Sequence, residues 1–550
     1  MKNKIIVVAV ILMAVSITRC SNQQQPGKAL QTITFEDLAR HVSIVAADSF
    51  LGRQPFTAGE EITINYLASE LERMNFSPAF NGSWFQEVPM TEILTSLNGP
   101  ALVRAGDKTM EFIAPDDIAL TSPIESEAIK VQSSELVFAG FGIVAPEYGW
   151  NDYRDIDVKG KTVVVLINDP GLYTGNTDLF KGREMTYYGR WTYKFEEAAR
   201  QGAKGILIIH ETEGAGYEYT IPRKSSLSPR LQINSNGNTS PKCEFTGWLS
   251  AGAADNLFAA IGKSVENLRA EACVQGYVGF NTGASINLDI ANRLKKSSSS
   301  NVAGILKGKS RPDEVIVYTA HWDHFGVGES ENGDSIYNGA VDNGTSIAWA
   351  FEIAEAFSSL KERPERSILI LFPTAEEQGL IGSTYYASNP VTDPENCVAC
   401  FNNDLLLPIG RMKDVMITGY GQSQLDSLVE VVARKQDRYI MADPNPHTGM
   451  YFRSDHFPFA ATGIPSMFAR GNCDSRELGK EWAAKEEMDY INNRYHRPAD
   501  NYDPFTWDFQ GIMEDAALMF EVGYKLANSS LFPRWNDNSE FKSRRKRDNY

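Results

Sequence analysis

The sequence has no surplus of positive charge: 53 lysines and arginines stand against 70 aspartates and glutamates, for a formal net charge of −17. With no basic stripe along it, nucleic acid is excluded as a partner. The one basic cluster, residues 542–547, falls in a terminal stretch, 531–550, that reads as a solvated, frayed tail. Apolar runs are short, and none reaches the ~20 residues that a membrane-spanning helix needs. Gly-x-Ser-x-Gly is absent, which removes a serine hydrolase built on a nucleophile elbow. Cysteine is scarce. Besides Cys20 there are Cys243, Cys273, Cys397, Cys400 and Cys473, an odd number that cannot all pair within one chain. Cys397 and Cys400 form a lone C-x-x-C, read as a strand-edge pair or a local disulfide rather than a structural zinc site, which would need a second pair. No internal repeat is visible.

What is present begins with a leader. Lys2 and Lys4 precede an apolar run over 5–15 and a polar stretch ending at Cys20, the layout of a signal peptide over residues 1–20. The Ser-Asn-Gln-rich stretch from Ser21 is similar to the tether that follows the lipid-bearing cysteine of bacterial lipoproteins. The expectation is an exported protein, periplasmic or held at the outer membrane by a lipid on Cys20. Arg19 stands where a small residue is usual, and it keeps ordinary secretion open as the alternative. Nothing in the sequence fixes an oligomeric state.

With 550 residues, 42% hydrophobic and 22% charged, the chain is globular and too long for one core, so two domains are expected after the leader. Residues 34–76 show helical periodicity, with Ile62, Tyr66, Leu67, Leu71 and Met74 on one side. Residues 124–288 carry short strand-like runs at 136–138, 162–167 and 205–209, a helix over 193–201, and a loop-rich stretch over 217–246. The serine run 297–300 reads as a linker. Beyond it, strands at 314–320, 367–372, 398–401 and 464–469 alternate with helices at 344–357, 382–388 and 425–435. Such alternation predicts an α/β fold, a mostly parallel mixed sheet flanked by helices.

The ends of those strands carry the chemistry. They deliver His321-Trp322-Asp323-His324, Glu376-Glu377 and Asn402-Asn403-Asp404; Asp342 precedes a helix, and His496 lies in a late loop. In open α/β sheets the site lies outside the carboxyl ends of the strands. Imidazoles mixed with carboxylates suit zinc. The carboxylates are too many for one closed structural site, but two ions about 3.5–4 Å apart, one carboxylate bridging them, would use the set. That arrangement serves amide hydrolysis.

The ordered stretches Ala320-His321-Trp322-Asp323-His324-Phe325-Gly326, Gly339-Ala340-Val341-Asp342-Asn343-Gly344, Ala375-Glu376-Glu377-Gln378-Gly379-Leu380-Ile381-Gly382-Ser383 and Ser454-Asp455-His456-Phe457-Pro458-Phe459 together resemble the co-catalytic zinc aminopeptidases, whose relatives include glutamate carboxypeptidases, glutaminyl cyclases and the transferrin receptor ectodomain. Leu51-Gly52-Arg53 with Gly59-Glu60 resembles that family's opening segment, and the likeness runs to about Asp503. The resemblance implies two zinc ions, with His321 and Asp404 on one, Glu377 and His496 on the other, and Asp342 bridging. It implies Glu376 as general base, Asp323 orienting His321 by accepting its second ring N–H, Arg453 against the substrate, and a cis peptide between Asp342 and Asn343. Residues 160–165 and 198–205 resemble a protease-associated domain, so the implied layout is 21–123 as the N-terminal part of the peptidase domain, 124–288 as a β-rich protease-associated insertion and 297–530 as the catalytic domain. The expected activity is removal of N-terminal residues from peptide substrates. A carboxypeptidase or dipeptidase, a glutaminyl cyclase and a non-catalytic binding protein are the alternatives; a cyclase would use one zinc, and a binding protein would be expected to have lost ligands. His324 and His456 match the motifs without matching ligands, and His41, His210 and His447 have no supporting pattern.

Overall fold

The computed structural model describes residues 25–236 and 240–549, so the leader and Cys20 lie outside the described residues. The chain divides into two compact units. One comprises the described residues up to Glu87, Ser299–Asp443 and Ser454 onward; the other comprises Val88–Ser298 and Pro444–Arg453.

The first unit is built on a mixed sheet. Its elements are α1 (Phe35–Val45), α2 (Ala58–Arg73), the part of β1 (Phe280–Leu306) from Ser299 onward, β2 (Arg311–Thr319), α3 (Ser346–Ser358), β3 (Arg366–Phe372), α4 (Ile381–Ser388), β4 (Cys397–Asn402), β5 (Asp414–Thr418), α5 (Leu425–Ala433), β6 (Tyr439–Ala442), β7 (Ser466–Arg470), α6 (Gly479–Asn493) and α7 (Gln510–Ala527). The strand order is β1-β3-β2-β4-β7-β5-β6. Strands β3, β2, β4 and β7 run parallel, β1 joins β3 antiparallel through residues 302–306, and β5 meets β7 antiparallel. Every residue of β3 and β4 is buried, as parallel strands covered on both faces require. Helix α3 is apolar nearly all round because it is wrapped, with Trp349 and Phe351 fully buried and α1 and α7 against it.

The register puts Leu371 of β3 beside Thr319 of β2, and Thr319 beside Asn402 of β4. Neighbouring strands lie about 4.8 Å apart. The residues that follow these three strands therefore emerge side by side at the carboxyl edge of the sheet.

Several sequence expectations change here. The serine run is not a linker: Ser299 and Ser300 belong to β1, and the buried Ser299 hydroxyl bonds Glu60 at 2.8 Å and Thr374 at 2.6 Å. A strand whose serines find polar partners needs no apolar alternation to be buried. The tail is not frayed. Trp535, Phe541 and Arg545 are buried, Trp535 donates to the Gly463 carbonyl at 2.7 Å, and Arg545 donates to the Cys397 carbonyl at 2.8 Å. Cys397 and Cys400 are free thiols on β4, which has a neighbour on each side, so they form neither a disulfide nor a strand-edge pair. The helical stretch 34–76 is two helices joined by an irregular turn, and Ile62 is exposed.

The second unit has a parallel core of Thr162–Leu166, Gly205–Ile209 and Phe245–Leu249, all buried, extended by Ala128–Phe138 and, antiparallel, by Ile118–Thr121. Helices Trp191–Arg200, Ala251–Ala260 and Val265–Ala272 accompany it. Its boundaries are wider than the expected 124–288. Residues 102–105 pair with 284–287, and 118–121 with 246–249, and this hydrogen bonding draws 88–123 away from the first unit. Residues 444–453 join it as well, Met185 donating to the Pro446 carbonyl at 3.2 Å and Phe452 packing its ring 6.2 Å from that of Tyr187.

Candidate metal centre

The site is assembled from loops at the carboxyl edge of the first unit's sheet. His321 follows β2, Glu376 and Glu377 follow β3, and Asp404 follows β4. Asp342 sits in the turn before α3, and His496 in the loop after α6. The backbone there is bent away from ordinary values: Ala375, Leu405 and His496 all have φ between 52° and 57°. Left-handed φ at non-glycine residues costs energy and persists where surrounding structure enforces it, typically at functional sites. Gly339 is required outright, since a Cβ there would stand 2.1 Å from the Asp342 carbonyl oxygen.

Asp342 lies between two histidines. Its Oδ1 is 3.4 Å from His321 Nε2 and its Oδ2 is 3.2 Å from His496 Nε2. Around His321 Nε2 stand Asp404 Oδ1 at 3.5 Å and Glu376 Oε2 at 3.9 Å. Around His496 Nε2 stands Glu377 Oε2 at 3.3 Å. The peptide bond between Asp342 and Asn343 is cis. The structure thus brings together His321, Asp342, Glu376, Glu377, Asp404 and His496.

A surrounding layer fixes these groups. Arg53, fully buried, donates to the carbonyls of Trp322, Val45, Asn338, Gly339 and Asp342. The Asp500 carboxylate accepts the N–H groups of Val341 and Asp342. Ser454 donates to Asp404 Oδ2 at 2.9 Å, and Arg470 donates to the Asp404 carbonyl. Tyr495 stacks on the His496 ring with centroids 3.7 Å apart.

Asp323 does something other than expected. His321 Nδ1 lies 3.1 Å from the Asp323 main-chain oxygen, while the carboxylate is 3.8 Å away and instead accepts the Glu376 N–H at 3.0 Å and the Glu377 N–H at 3.4 Å. Two N–H groups aimed at one carboxylate outcompete a ring edge. His324, which sequence reasoning left outside the ligand set, bonds Glu377 Oε1 at 2.7 Å and so divides that carboxylate between two imidazoles. Its signal in the sequence was the spacing His321-x-x-His324 at a strand end. Arg453 lies in the second unit and is exposed. His456, His41 and His210 are buried away from this cluster's contacts, and His447 is exposed.

The charges are unbalanced. Burial works against ionising Asp342, yet its contacts with His321 and His496 hold it well below the usual carboxylate range. Burial pushes Glu376 well above that range, with Asp404 and Glu377 adding to it against the pull of His321. Burial would lower His496, but Asp342 and Glu377 carry it up to about 10. Carboxylates in excess of cationic partners, in a dry site, call for positive charge. The donor set fits metal ions. His321, Asp342 and Asp404 converge with their ligand atoms within 4.8 Å, as do His324, Asp342 and Glu377, and His321 Nε2 and Asp404 Oδ1 are buried with no hydrogen-bond partner among the described residues.

A histidine–carboxylate cradle sharing one aspartate, at the carboxyl edge of a parallel sheet, defines a candidate dinuclear metal site. Residues 301–521 match the model of Peptidase family M28. Aminopeptidase NAALADL1 of Mus musculus is 34% identical over 131 residues, 23% of this chain and 16% of that protein. A probable glutamate carboxypeptidase of Arabidopsis thaliana is 25% identical over 376 residues, 62% of this chain and 51% of its own. The chain therefore spans about half or less of these curated relatives. Among solved structures, an aminopeptidase from Aneurinibacillus sp. strain AM-1 aligns over 92% of this chain and 97% of its own, at 17% identity and a TM-score of 0.45.

Proposed function

We propose that the chain is a zinc-dependent metallopeptidase that removes N-terminal residues from peptides. The observation that carries this reading is Asp342, whose two carboxylate oxygens face two separate histidines, each with its own second carboxylate. His321 and Asp404 would hold one zinc ion, His496 and Glu377 the other, and Asp342 both. When bound, the ions supply Lewis acidity toward the scissile carbonyl and lower the pKa of water at the site.

The chain's own groups do the rest. Glu376 has no side-chain hydrogen bond among the described residues, stands beside His321 and is buried, which leaves its carboxylate free to take a proton from the attacking water and return it to the departing amine. Asp323 pins the Glu376 backbone, so the base cannot drift. His324 fixes one oxygen of Glu377 and leaves the other toward His496. Ser454 does the same for Asp404.

The second unit is assigned as a protease-associated insertion, on the strength of the motifs at 160–165 and 198–205, which run into two strands of its parallel core. No helix among the described residues is long and apolar enough to cross a membrane. Export, with a lipid on Cys20, remains the proposed location.

The test is hydrolysis by zinc-loaded protein of aminoacyl amides, N-blocked peptides and peptides beginning with glutamine. Release of residues from free N-termini alone is the expected outcome. Cleavage of N-blocked peptides from the other end would make the enzyme a carboxypeptidase, and cyclisation of N-terminal glutamine without hydrolysis would overturn the peptidase reading.

A further inference from the structure

The loop that carries Glu376 and Glu377 leaves β3 at a proline. Main-chain pairing of β1 with β3 runs from Leu306 opposite Ile368 to Val302 opposite Phe372 and stops there. The next residue after β3, Pro373, has no N–H to give. From that point side chains of β1 take over, all within the first unit. Asn301 is fully buried and accepts the Thr374 N–H on Oδ1 at 3.0 Å. From Nδ2 it donates to the Gly382 carbonyl at 2.8 Å and to Gln86 Oε1 at 3.0 Å. Two residues earlier in the strand, and so on the same face, the Ser299 hydroxyl meets that of Thr374 at 2.6 Å.

Thr374 and Gly382 are the two ends of the loop. The Gly382 N–H donates to the Thr374 carbonyl at 2.9 Å and the Ile381 N–H to the Ala375 carbonyl at 3.1 Å, so residues 375–381 form a closed bight. Within it Ala375 and Leu380 hold φ of 52° and 60°, values that such residues keep only where their surroundings enforce them. Asp323 holds the middle of the bight through the Glu376 and Glu377 N–H groups. Asn301 spans the neck, serving a donor on one end and an acceptor on the other, as a peptide group of a neighbouring strand would. The partners fix which way its amide points, because the Thr374 N–H offers only a proton and the Gly382 carbonyl only lone pairs. Gly382 has no room to be larger, since a Cβ there would collide with the Asn301 amide oxygen and the Thr374 main chain. The Glu376 side chain, two residues beyond the neck, has no hydrogen bond of its own among the described residues, so its place follows from how the loop is held.

We infer that Asn301 is a positioning residue for the base: it stands in for a strand peptide at the neck of the 374–382 loop and so fixes where the Glu376 carboxylate lies. It acts through Thr374 and Gly382, with Gln86 bracing the amide from behind. The inference rests on the peptidase reading for the role of Glu376 and not for the existence of the clamp.

The test has an exchange arm and a kinetic arm on the zinc-loaded full chain. Hydrogen exchange of the 374–382 amides is followed by mass spectrometry in the parent protein, Asn301→Ala and Gln86→Ala, with the amides of β5 as internal reference. Exchange is expected to be about tenfold faster in Asn301→Ala, which leaves the Thr374 N–H and the Gly382 carbonyl without their partner. Gln86→Ala keeps those two bonds and is expected to give about threefold. Should Asn301→Ala not fold, Gln86→Ala takes its place in both arms with the smaller effect. Exchange unchanged relative to β5 in the variants that fold overturns the clamp.

In the kinetic arm Asn301→Ala is made in the parent and in Glu376→Gln, at full zinc occupancy, so that a shift of Glu377 does not enter as metal loss. In the parent background kcat is expected to fall about 10- to 100-fold with KM unchanged, the effect of moving a reacting group by about 1 Å. In the Glu376→Gln background the same substitution is expected to change kcat by less than about threefold, because the group it positions is already out of the reaction. An equal fall in both backgrounds makes Asn301 a residue of stability alone and overturns the inference. Loss of loop protection in the variants, together with no peptide hydrolysis by the parent, leaves the clamp standing and sinks the peptidase reading.

Discussion

Arg53 donates from Nη2 to the carbonyl of Gly339 at 2.9 Å, across 286 residues of sequence. The same guanidinium reaches the carbonyls of Trp322, Val45 and Asn338, so one buried cation ties the turn before α2 to the two loops that carry His321 and Asp342. Replacing it with lysine keeps the charge but offers one tetrahedral donor group where a planar fork serves several acceptors. Arg53→Lys is expected to leave at least two buried carbonyls without a donor. Each such loss costs about 1–3 kcal/mol. Thermal unfolding should show a lowered Tm, and equilibrium dialysis should show weaker zinc binding. An unchanged Tm together with unchanged zinc affinity would contradict the bracing role.

The bridging position of Asp342 predicts the metal content. A loaded preparation of the parent protein should contain two zinc ions per chain by elemental analysis. Asp342→Asn keeps the shape but removes the charge shared between His321 and His496. It is expected to bind less than one ion at the same free zinc concentration, because both sites lose a ligand together. Retention of one full equivalent would show that the two sites are independent, and one equivalent in the active parent would favour the single-zinc cyclase chemistry.

Much of the catalytic core was legible in the sequence because its strands are buried on both faces, and runs such as 367–372 have no other stable environment. The candidate ligands were legible as a group because most of them stand directly after such runs, where exposed charge has no reason to be. The supporting layer was not. Nothing in the periodicity around Arg53 says that five carbonyls await it, since all but that of Val45 come from segments far away in sequence. Ser299 looked like a linker residue because its partners, Glu60 and Thr374, are visible only after folding. The boundary at Val88 was hidden for the same reason: residues 101–105 and 118–121 have ordinary strand composition, and only their pairing says which unit owns them. Arg545 reads as part of a solvated charge run until the Cys397 carbonyl is placed beside it.

Glu352, on α3, gives a prediction about pH away from the metal ligands. Its carboxylate accepts the Thr34 N–H at 2.7 Å, the capping turn of α1. Burial pushes its pKa up to about 8, only partly offset by that hydrogen bond. A carboxyl whose folded pKa exceeds its unfolded value near 4.3 keeps its proton when folded over a range in which the unfolded chain has lost it. Its contribution to stability is therefore greatest below about pH 4 and declines as pH rises toward 8. Glu352→Gln has no such dependence. The difference in Tm, variant minus parent, should grow by about 2 °C or more between pH 5 and pH 8.5. A difference that is constant with pH, or that shrinks, would show that Glu352 is charged in the folded protein throughout.

The adjacent glutamates Glu376 and Glu377 are separated by what each side chain touches. Glu377 is divided between His324 at 2.7 Å and His496 at 3.3 Å, the position of a ligand. Glu376 lies 3.9 Å from His321 and has no hydrogen-bond partner for its carboxylate among the described residues, the position of a group that must exchange a proton. Glu377→Ala is expected to lower zinc affinity and, through it, activity, with partial recovery at excess zinc. Glu376→Gln preserves shape and cannot accept the proton, so it is expected to keep both ions and KM while kcat falls by roughly 10²–10⁴-fold. Excess zinc should not restore it. The two variants share the Asp323 carboxylate through their backbone N–H groups, so a change in protein shape would affect both alike. Near-normal kcat in Glu376→Gln at full metal occupancy would move the base to another residue, while a zinc affinity unaltered in Glu377→Ala would remove Glu377 from the ligand set.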